Sequence, residues 1–339
     1  MSDAKPISLK NILLRHEVVL LLVIALEIAL FSAIGRRFLD GSNVSNIFRF
    51  SVETGLLALA MTPVILTGGI DLSVGSMMGL CAVSFGMLVN DAGLSPILAG
   101  LISIFIGVVG GGLNALLIAR MKLPPLIVTL GTFSLFRGLA EALTRGSKSY
   151  SGFDKSFLQL GNGNIAGIPT QVIIFVAVAI GIYLLVHHTT FGRSFRAIGY
   201  SPEGARYAGI PVQRNTGFVY ILAGAISGLA AVILVARLGE ARANAGIGYE
   251  LLAITAVVLG GTSIFGGSGT VCGTLLGYIA VAILGNGLSR ITDYQLFEKS
   301  ISSNARELSG MLTGVLLIVA LAVTPLARIL ATRRSRRQH

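Results

Sequence analysis

The chain has no tryptophan, only two cysteines, and little charge: 12% of its 339 residues are Asp, Glu, Lys or Arg, while 53% are apolar. A water-soluble domain carries about 25% charged residues, so an ordinary soluble fold of this length is excluded. Both cysteines, Cys81 and Cys272, fall inside apolar runs, which excludes a disulfide-built scaffold. Of four histidines, His187 and His188 are adjacent and none has metal-ligand spacing. No G-x-x-x-x-G-K-[ST] loop occurs, and the nearest fragment, Gly146-Ser147-Lys148-Ser149, lacks the Gly-Lys pair and the preceding glycine. The chain is therefore not expected to hydrolyse ATP itself. There is also no H-E-x-x-H, no G-x-S-x-G outside apolar surroundings, and no long soluble segment. The ionisable residues inside apolar runs, Glu27, Glu53, Arg137 and Glu141, are scattered. No enzyme is expected.

What is present is a series of apolar runs of membrane-spanning length. They cover approximately 17–34, 53–69, 74–90, 95–118, 124–143, 169–187, 215–237, 250–266, 270–287 and 308–327. An apolar stretch of roughly 17–25 residues reads as a transmembrane helix. The alternation of a membrane β-barrel is missing. The expected class is all-α, a polytopic membrane protein of about ten transmembrane helices with glycine-broken and re-entrant segments. The short runs around 53–69, 74–90, 250–266 and 270–287 are the glycine-interrupted ones. Lys5, Lys10 and Arg15 precede the first run like a signal-peptide n-region, but Glu27 interrupts the run and no A-x-A site follows. It is expected to stay as an uncleaved anchor.

Basic residues orient the chain. With an even span count both termini share a side, and that side collects fourteen Lys and Arg against eleven on the other. The densest clusters are Arg193, Arg196, Arg206 and Arg214 in one loop and Arg328, Arg333, Arg334, Arg336 and Arg337 in the tail. By the positive-inside rule both termini are expected to be cytoplasmic. The expected organisation is a cytoplasmic segment 1–16, a single transmembrane domain 17–327 with a cytoplasmic loop 188–214, and a basic tail 328–339. The net charge of +11 is read as topology signal and contact with anionic membrane lipids, with no nucleic-acid partner.

Residues 67–76, TGGIDLSVGS, place an aspartate between two apolar runs. GGIDLSVGS at 68–76 aligns without gaps on GGTSIFGGS at 260–268, matching Gly68/Gly260, Gly69/Gly261, Gly75/Gly267 and Ser76/Ser268. Paired glycine-interrupted apolar segments are a feature of transporters near the solute pathway. Two readings of Asp71 stand: with Ser73 it caps a helix starting near Val74, or it faces a solute or gates the pathway. Thr67, Asp71, Ser73, Asn114, Thr129, Ser134, Thr255 and Ser263 are candidate pathway residues. For each, a hydrogen bond between helices or to its own helix is the alternative.

The loop from His188 to Gln213 holds a clear helix start: Ser201 as N-cap, Pro202 at the first position and Glu203 in the first turn. The short helix should run to about Ala208 and stop at Gly209. Too short to be stable alone, it must rest on its own spans and lipid heads, or on another protein.

TGGIDLSVGS, NALLIARMKLPPLIVTLGTFSLFRGLA (114–140), FGRSFRAIGYSPEGARYAGI (191–210) and ITAVVLGGTSIFGGSGTVCGTLLG (254–277) together resemble the signature stretches of permease subunits of ABC-type sugar importers. The branch is that of ribose, xylose, rhamnose and autoinducer-2, and the likeness covers nearly the whole chain in order. The resemblance implies about ten spans and a second permease chain, as a homodimer or a sibling heterodimer. It also implies a separate ABC ATPase subunit and a periplasmic sugar-binding protein. No cofactor is then bound by this chain, ATP and Mg belonging to the partner subunits. The 191–210 stretch resembles the ATPase-coupling loop, carried here by Gly192, Arg193, Glu203, Ala205, Arg206 and Gly209; paired alanines are frequent there, and here Gly204 precedes Ala205. The binding protein would dock on 35–52, 144–168, 238–249 and 288–307. The location implied is a bacterial inner membrane. The alternative is an ion-coupled secondary transporter, for which Glu27, Glu53 and Glu141 would be the candidate ion sites.

Overall fold

The computed structural model describes residues 16–35, 37–291 and 314–315. In chain order the helices are α1 His16–Ile34, α2 Gly41–Leu66, α3 Val74–Asn90, α4 Pro96–Ala115 and α5 Pro125–Leu143. There follow α6 Lys155–Asn162, α7 Thr170–His188, α8 Thr190–Tyr200 and α9 Pro202–Tyr207. The series closes with α10 Val212–Leu238, α11 Tyr249–Leu259 and α12 Val271–Ile291. The protein is an all-α, multi-pass membrane protein. Seven of these helices are long and apolar enough to cross a membrane, while Val74–Asn90 and Tyr249–Leu259 are apolar but shorter. Of the tenth expected span, 308–327, only residues 314–315 are described, and the N-terminal segment before His16 and the tail 328–339 lie outside the described residues.

The centre of the molecule is where α4 crosses α10, backbone against backbone. A Cβ on Gly107 would overlap the Gly224 carbonyl, one on Gly224 the Gly107 carbonyl, and one on Gly111 the Tyr220 carbonyl. Small residues allow this approach, which is how helices gain packing where lipid supplies no hydrophobic drive. Around this crossing α2 and α3 are the most enclosed helices: the whole of α2 from Val52 to Leu66 is buried.

Helix α2 begins at Gly41, well before the expected 53–69. The extension 41–52 is rich in polar residues, which hides it from a reading by apolarity. The fold gives several of them partners: Asn43 Nδ2 donates to Asn286 Oδ1 at 3.0 Å, Arg49 Nη2 donates to Asn164 Oδ1 at 3.1 Å, and the Ser51 and Tyr278 hydroxyls share a hydrogen bond of 2.8 Å. The connecting segment expected over 35–52 therefore shrinks to a short turn before Gly41. Glu53 is fully buried and pairs with Arg237 at 2.8 Å, so one of the candidate ion sites is already neutralised by a guanidinium. The expected run 250–266 also shortens, because α11 ends at Leu259.

On the face opposite the 188–214 loop, the segment 144–168 folds into small elements. Strand β1 (Tyr150–Ser151) pairs antiparallel with β4 (Glu240–Ala241), and β2 (Asn164–Ile165) pairs with β3 (Ile168–Pro169). Phe153 and Phe157 pack on Phe85 of α3, with ring centroids 5.5 and 4.6 Å away. Lys148 binds both carboxylate oxygens of Asp91 at 2.9 Å, and this bond, helped by the Tyr150 hydroxyl, holds the exposed Asp91 carboxyl below its ordinary range.

Candidate functional site

Among the described residues, two apolar helices are too short to cross a bilayer, and they start beside each other. Helix α3 has 17 residues and α11 has 11; at ~1.5 Å per residue they rise about 26 and 17 Å, short of a hydrocarbon core of about 30 Å. A Cβ on Gly75, in the first turn of α3, would overlap the carboxylate of Glu250 in the first turn of α11 and come within 2.6 Å of the Gly246 carbonyl. Each short helix is reached by an irregular segment, 67–73 or 239–248, whose polar backbone must be satisfied by protein or by water in a cavity.

The fold does so with a chain of side chains running outward from 67–73. Asp71 Oδ1 accepts from the Ser73 backbone N–H at 2.9 Å and from the Ser73 hydroxyl at 2.6 Å. Asn114 Nδ2 on α4 donates to Ser73 Oγ at 2.9 Å, and Thr132 on α5 donates to Asn114 Oδ1 at 2.8 Å. Thr129, one turn earlier on α5, donates to the Ile70 carbonyl at 3.1 Å. Asp71, Ser73, Asn114, Thr129 and Thr132 are all buried. The break is thus tied to α4 and α5 by an unbroken polar relay. Asp71 does not bond the second or third helical N–H: the N-cap position is Ser73, whose side chain makes no cap bond. The carboxylate instead closes the turn that enters α3, an Asx turn. The Tyr220 hydroxyl of α10 reaches the same place, where a Cβ on Gly69 would overlap it, and it is buried without a hydrogen-bond partner among the described residues.

The other irregular segment is held by a cation. Arg137 Nη1 of α5 donates to the carbonyls of Ala243 and Ala245. The 238–249 region touches α3 and α5 at Ala243, Ala245 and Gly246, while Leu238, Arg242, Asn244 and Ile247 are exposed.

Of the eight candidate pathway residues, the structure brings four together: Asp71, Ser73, Asn114 and Thr129. Thr67 bonds the Val64 carbonyl of its own helix end at 2.8 Å, and Thr255 bonds Leu251 of its own helix at 2.7 Å. Ser134 is exposed on the outer side of α5 and back-bonds to Leu130 at 3.3 Å. Ser263 lies in the second break, where its backbone N–H donates to the Ser268 carbonyl at 2.9 Å. Thr132, Tyr220 and Glu250 were missed. Thr132 had a signal, standing three residues beyond Thr129 on one helix face; Tyr220 and Glu250 had none beyond a polar group within an apolar run.

The glycine repeat is real in geometry but shifted by one residue. At the end of α2, Thr67 N–H bonds Pro63, Gly68 bonds Ile65 and Gly69 bonds Val64; at the end of α11, Gly260 bonds Ala256, Gly261 bonds Val258 and Thr262 bonds Val257. Gly68 and Gly261 take the same positive φ, 83° and 87°. The structural equivalent of Gly68 is thus Gly261, not Gly260. The two breaks also touch, since Gly267 N–H donates to the Leu66 carbonyl at 3.0 Å.

The 188–214 loop forms two helices. Ser201 Oγ accepts from the Gly204 N–H at 3.0 Å, α9 follows from Pro202, and Gly209 adopts φ 78° beyond its end. Gly192, Phe195, Ile198 and Ala205 are buried beneath the pair. Arg193, Glu203 and Arg206 are exposed. So are two aromatic residues that the sequence reading passed over, Tyr200 and Tyr207, at 90% and 91%.

Residues 43–321 match the family described as branched-chain amino acid transport system / permease component. Over 312 residues, 89% of this chain and 90% of the relative, the chain is 38% identical to proteins named autoinducer 2 import system permease protein LsrD in Escherichia coli and in Shigella flexneri. No solved structure matches the chain.

Proposed function

We infer the function from what this chain is: it belongs to the branched-chain amino acid transport system / permease component family, a family of transporters and not of enzymes. It is the membrane-spanning permease subunit of an ABC-type importer. Its cargo is a small hydroxyl-rich solute of the sugar class, which includes the autoinducer 2 named for its relatives. It works in a bacterial inner membrane, with both termini and the 188–214 loop on the cytoplasmic side. A binding protein delivers the solute on the opposite side, a second permease chain completes the pathway, and separate ATPase subunits hold ATP and Mg.

The observation that carries this reading is the α8–α9 pair. Its inner face is seated on the spans by Phe195, Ile198 and Ala205, while its outer face offers Tyr200, Tyr207, Arg193, Glu203 and Arg206 to solvent. Exposed tyrosine and arginine together are what a protein interface concentrates. A chain with no phosphate-binding loop of its own must receive its power through such a surface. Beyond it, the break that enters α3 provides a pathway wall in which Asp71, Ser73, Asn114 and Thr132 bond one another, which suits a solute that must leave as easily as it arrives.

Co-purification tests the assignment. The detergent-extracted wild-type chain is expected to bring down an ABC ATPase. Tyr207→Ala and Glu203→Lys should insert normally yet lower that yield, Glu203→Lys in a salt-dependent manner because a rim charge acts chiefly on association. Normal ATPase recovery and normal uptake with both variants would show the loop to be a lipid-facing connector.

A further inference from the structure

Three strands of backbone meet beneath the end of α8. A Cβ on Gly199 would overlap both the Leu66 carbonyl oxygen at the end of α2 and the Gly267 amide nitrogen in the second break. Those two atoms are themselves partners in the 3.0 Å hydrogen bond between the breaks. From the other side, a Cβ on Gly266 would lie 2.7 Å from the Gly68 nitrogen and 2.9 Å from the Gly199 Cα. Gly267 in turn abuts the Tyr200 backbone, where its Cβ would lie 3.2 Å from the nitrogen. Gly266 and Gly267 both have positive φ, 86° and 79°, a conformation that suits glycine. No side chain separates the cytoplasmic helix from the hydrogen bond that joins the breaks.

A second tie links α8 to the same region. Arg196 contacts the Val186 carbonyl at 3.1 Å and the His187 Nδ1 at 3.3 Å, while His187 Nε2 accepts the Val271 N–H, the first residue of α12, at 3.2 Å. Phe195 fixes the buried face between these two ties.

We propose that Gly199 is a positioning residue through which α8 acts on the pathway: seated on the Gly267–Leu66 hydrogen bond, it holds the tip of the second break against the end of α2, and a shift of α8 releases that tip. The inference rests on the importer reading and adds the point of transmission to it. Because the contact is backbone to backbone, it has no soft side chain to absorb a displacement, so a small movement of α8 must move the tip or open the bond. The end of α2 is the fixed partner, since the segment that follows it is pinned to α4 and α5 through Asn114 and Thr129.

The test combines uptake with hydrogen exchange on the reconstituted complex of permease, ATPase and binding protein. In the wild type, ATP and Mg should change exchange in peptides covering 190–200 and 260–270 together, while 67–73 stays protected. Gly199→Ala should keep the ATPase bound yet cut uptake roughly tenfold or more, as when a coupling between sites is lost. Its 260–270 peptide should exchange, without nucleotide, as the wild type does with it. Gly181→Ala, whose Cβ meets nothing within 4 Å, should behave as wild type. The proposal is overturned if Gly199→Ala transports normally, or if it loses uptake while 260–270 still responds to nucleotide as in the wild type. If that variant fails to reach the membrane, the wild-type exchange decides: nucleotide changing 190–200 but not 260–270 overturns the seat. Failure of any ATPase to join the wild-type chain would count against the importer reading and not against the seat.

Discussion

The two glycine breaks begin alike and are held in different ways. Both follow a helix that ends in the same hydrogen-bond pattern with a positive-φ glycine. After that they part. The first, 67–73, is short and tied by side chains, Asp71 to Ser73, Ser73 to Asn114, Asn114 to Thr132 and Thr129 to Ile70. The second, 260–270, is longer and held largely by backbone: Ser263 to Ser268, Gly266 to Ser263 and Gly267 to Leu66. Side-chain networks buried in low dielectric rigidify what they join. Glycine-rich backbone lying on backbone leaves a segment fewer constraints. The comparison teaches that one motif, used twice, supplies a fixed wall and a movable part.

Substitutions should therefore cost unequal amounts in the two breaks. The largest effect is expected from Asn114→Ala, which removes two buried hydrogen bonds at once and cuts the link between Ser73 and Thr132, leaving Ser73 on Asp71 and Thr132 on the Val128 carbonyl. Each lost hydrogen bond costs about 0.5–1.5 kcal/mol, so thermal melting in detergent should fall and membrane yield with it. A near-normal melting temperature would mean that the relay contributes no rigidity. Asp71→Asn is milder, because an amide oxygen still accepts from Ser73 while the charge near the start of α3 is lost. A carboxylate there contributes about 0.3–1 kcal/mol, and reduced uptake with normal membrane levels is expected; complete loss of uptake at normal levels would place Asp71 in contact with the solute. The smallest effect belongs to Ser263→Ala in the second break, where Ser263 bonds Ser268 and Gly266 through its main chain. Melting should move by less than about 0.5 kcal/mol in stability, and a loss comparable to that of Asn114→Ala would erase the distinction between the breaks.

The class of the molecule was legible from composition and apolar length, since a membrane leaves few choices to a backbone that must satisfy itself. The start of α2 was not, because Asn43, Arg49 and Ser51 look like loop residues until Asn286, Asn164 and Tyr278 are placed opposite them. The candidate pathway residues carried only a partial signal. A polar residue in an apolar run announces that it has a partner, but not whether the partner lies across the bundle, as for Asn114, or one turn back, as for Thr255. The helix start at Ser201 could be read locally because capping is a local affair of a few residues. The meeting of Gly199, Leu66 and Gly267 could not, because a glycine's reason for being small lies in whatever chain passes it, and sequence does not show that neighbour.

Thiol accessibility in the assembled transporter tests the wall and the movable part most directly. In a background carrying Cys272→Ser, which removes the exposed native thiol while Cys81 stays buried, one variant carries Ser73→Cys and another Ser263→Cys. Each is treated with a small water-soluble maleimide with and without ATP and Mg. The account predicts that the thiol at position 263 changes its reaction rate with nucleotide, while the thiol at position 73 stays unreactive in both conditions. A nucleotide-dependent rate at 73 together with an unchanging rate at 263 would contradict it.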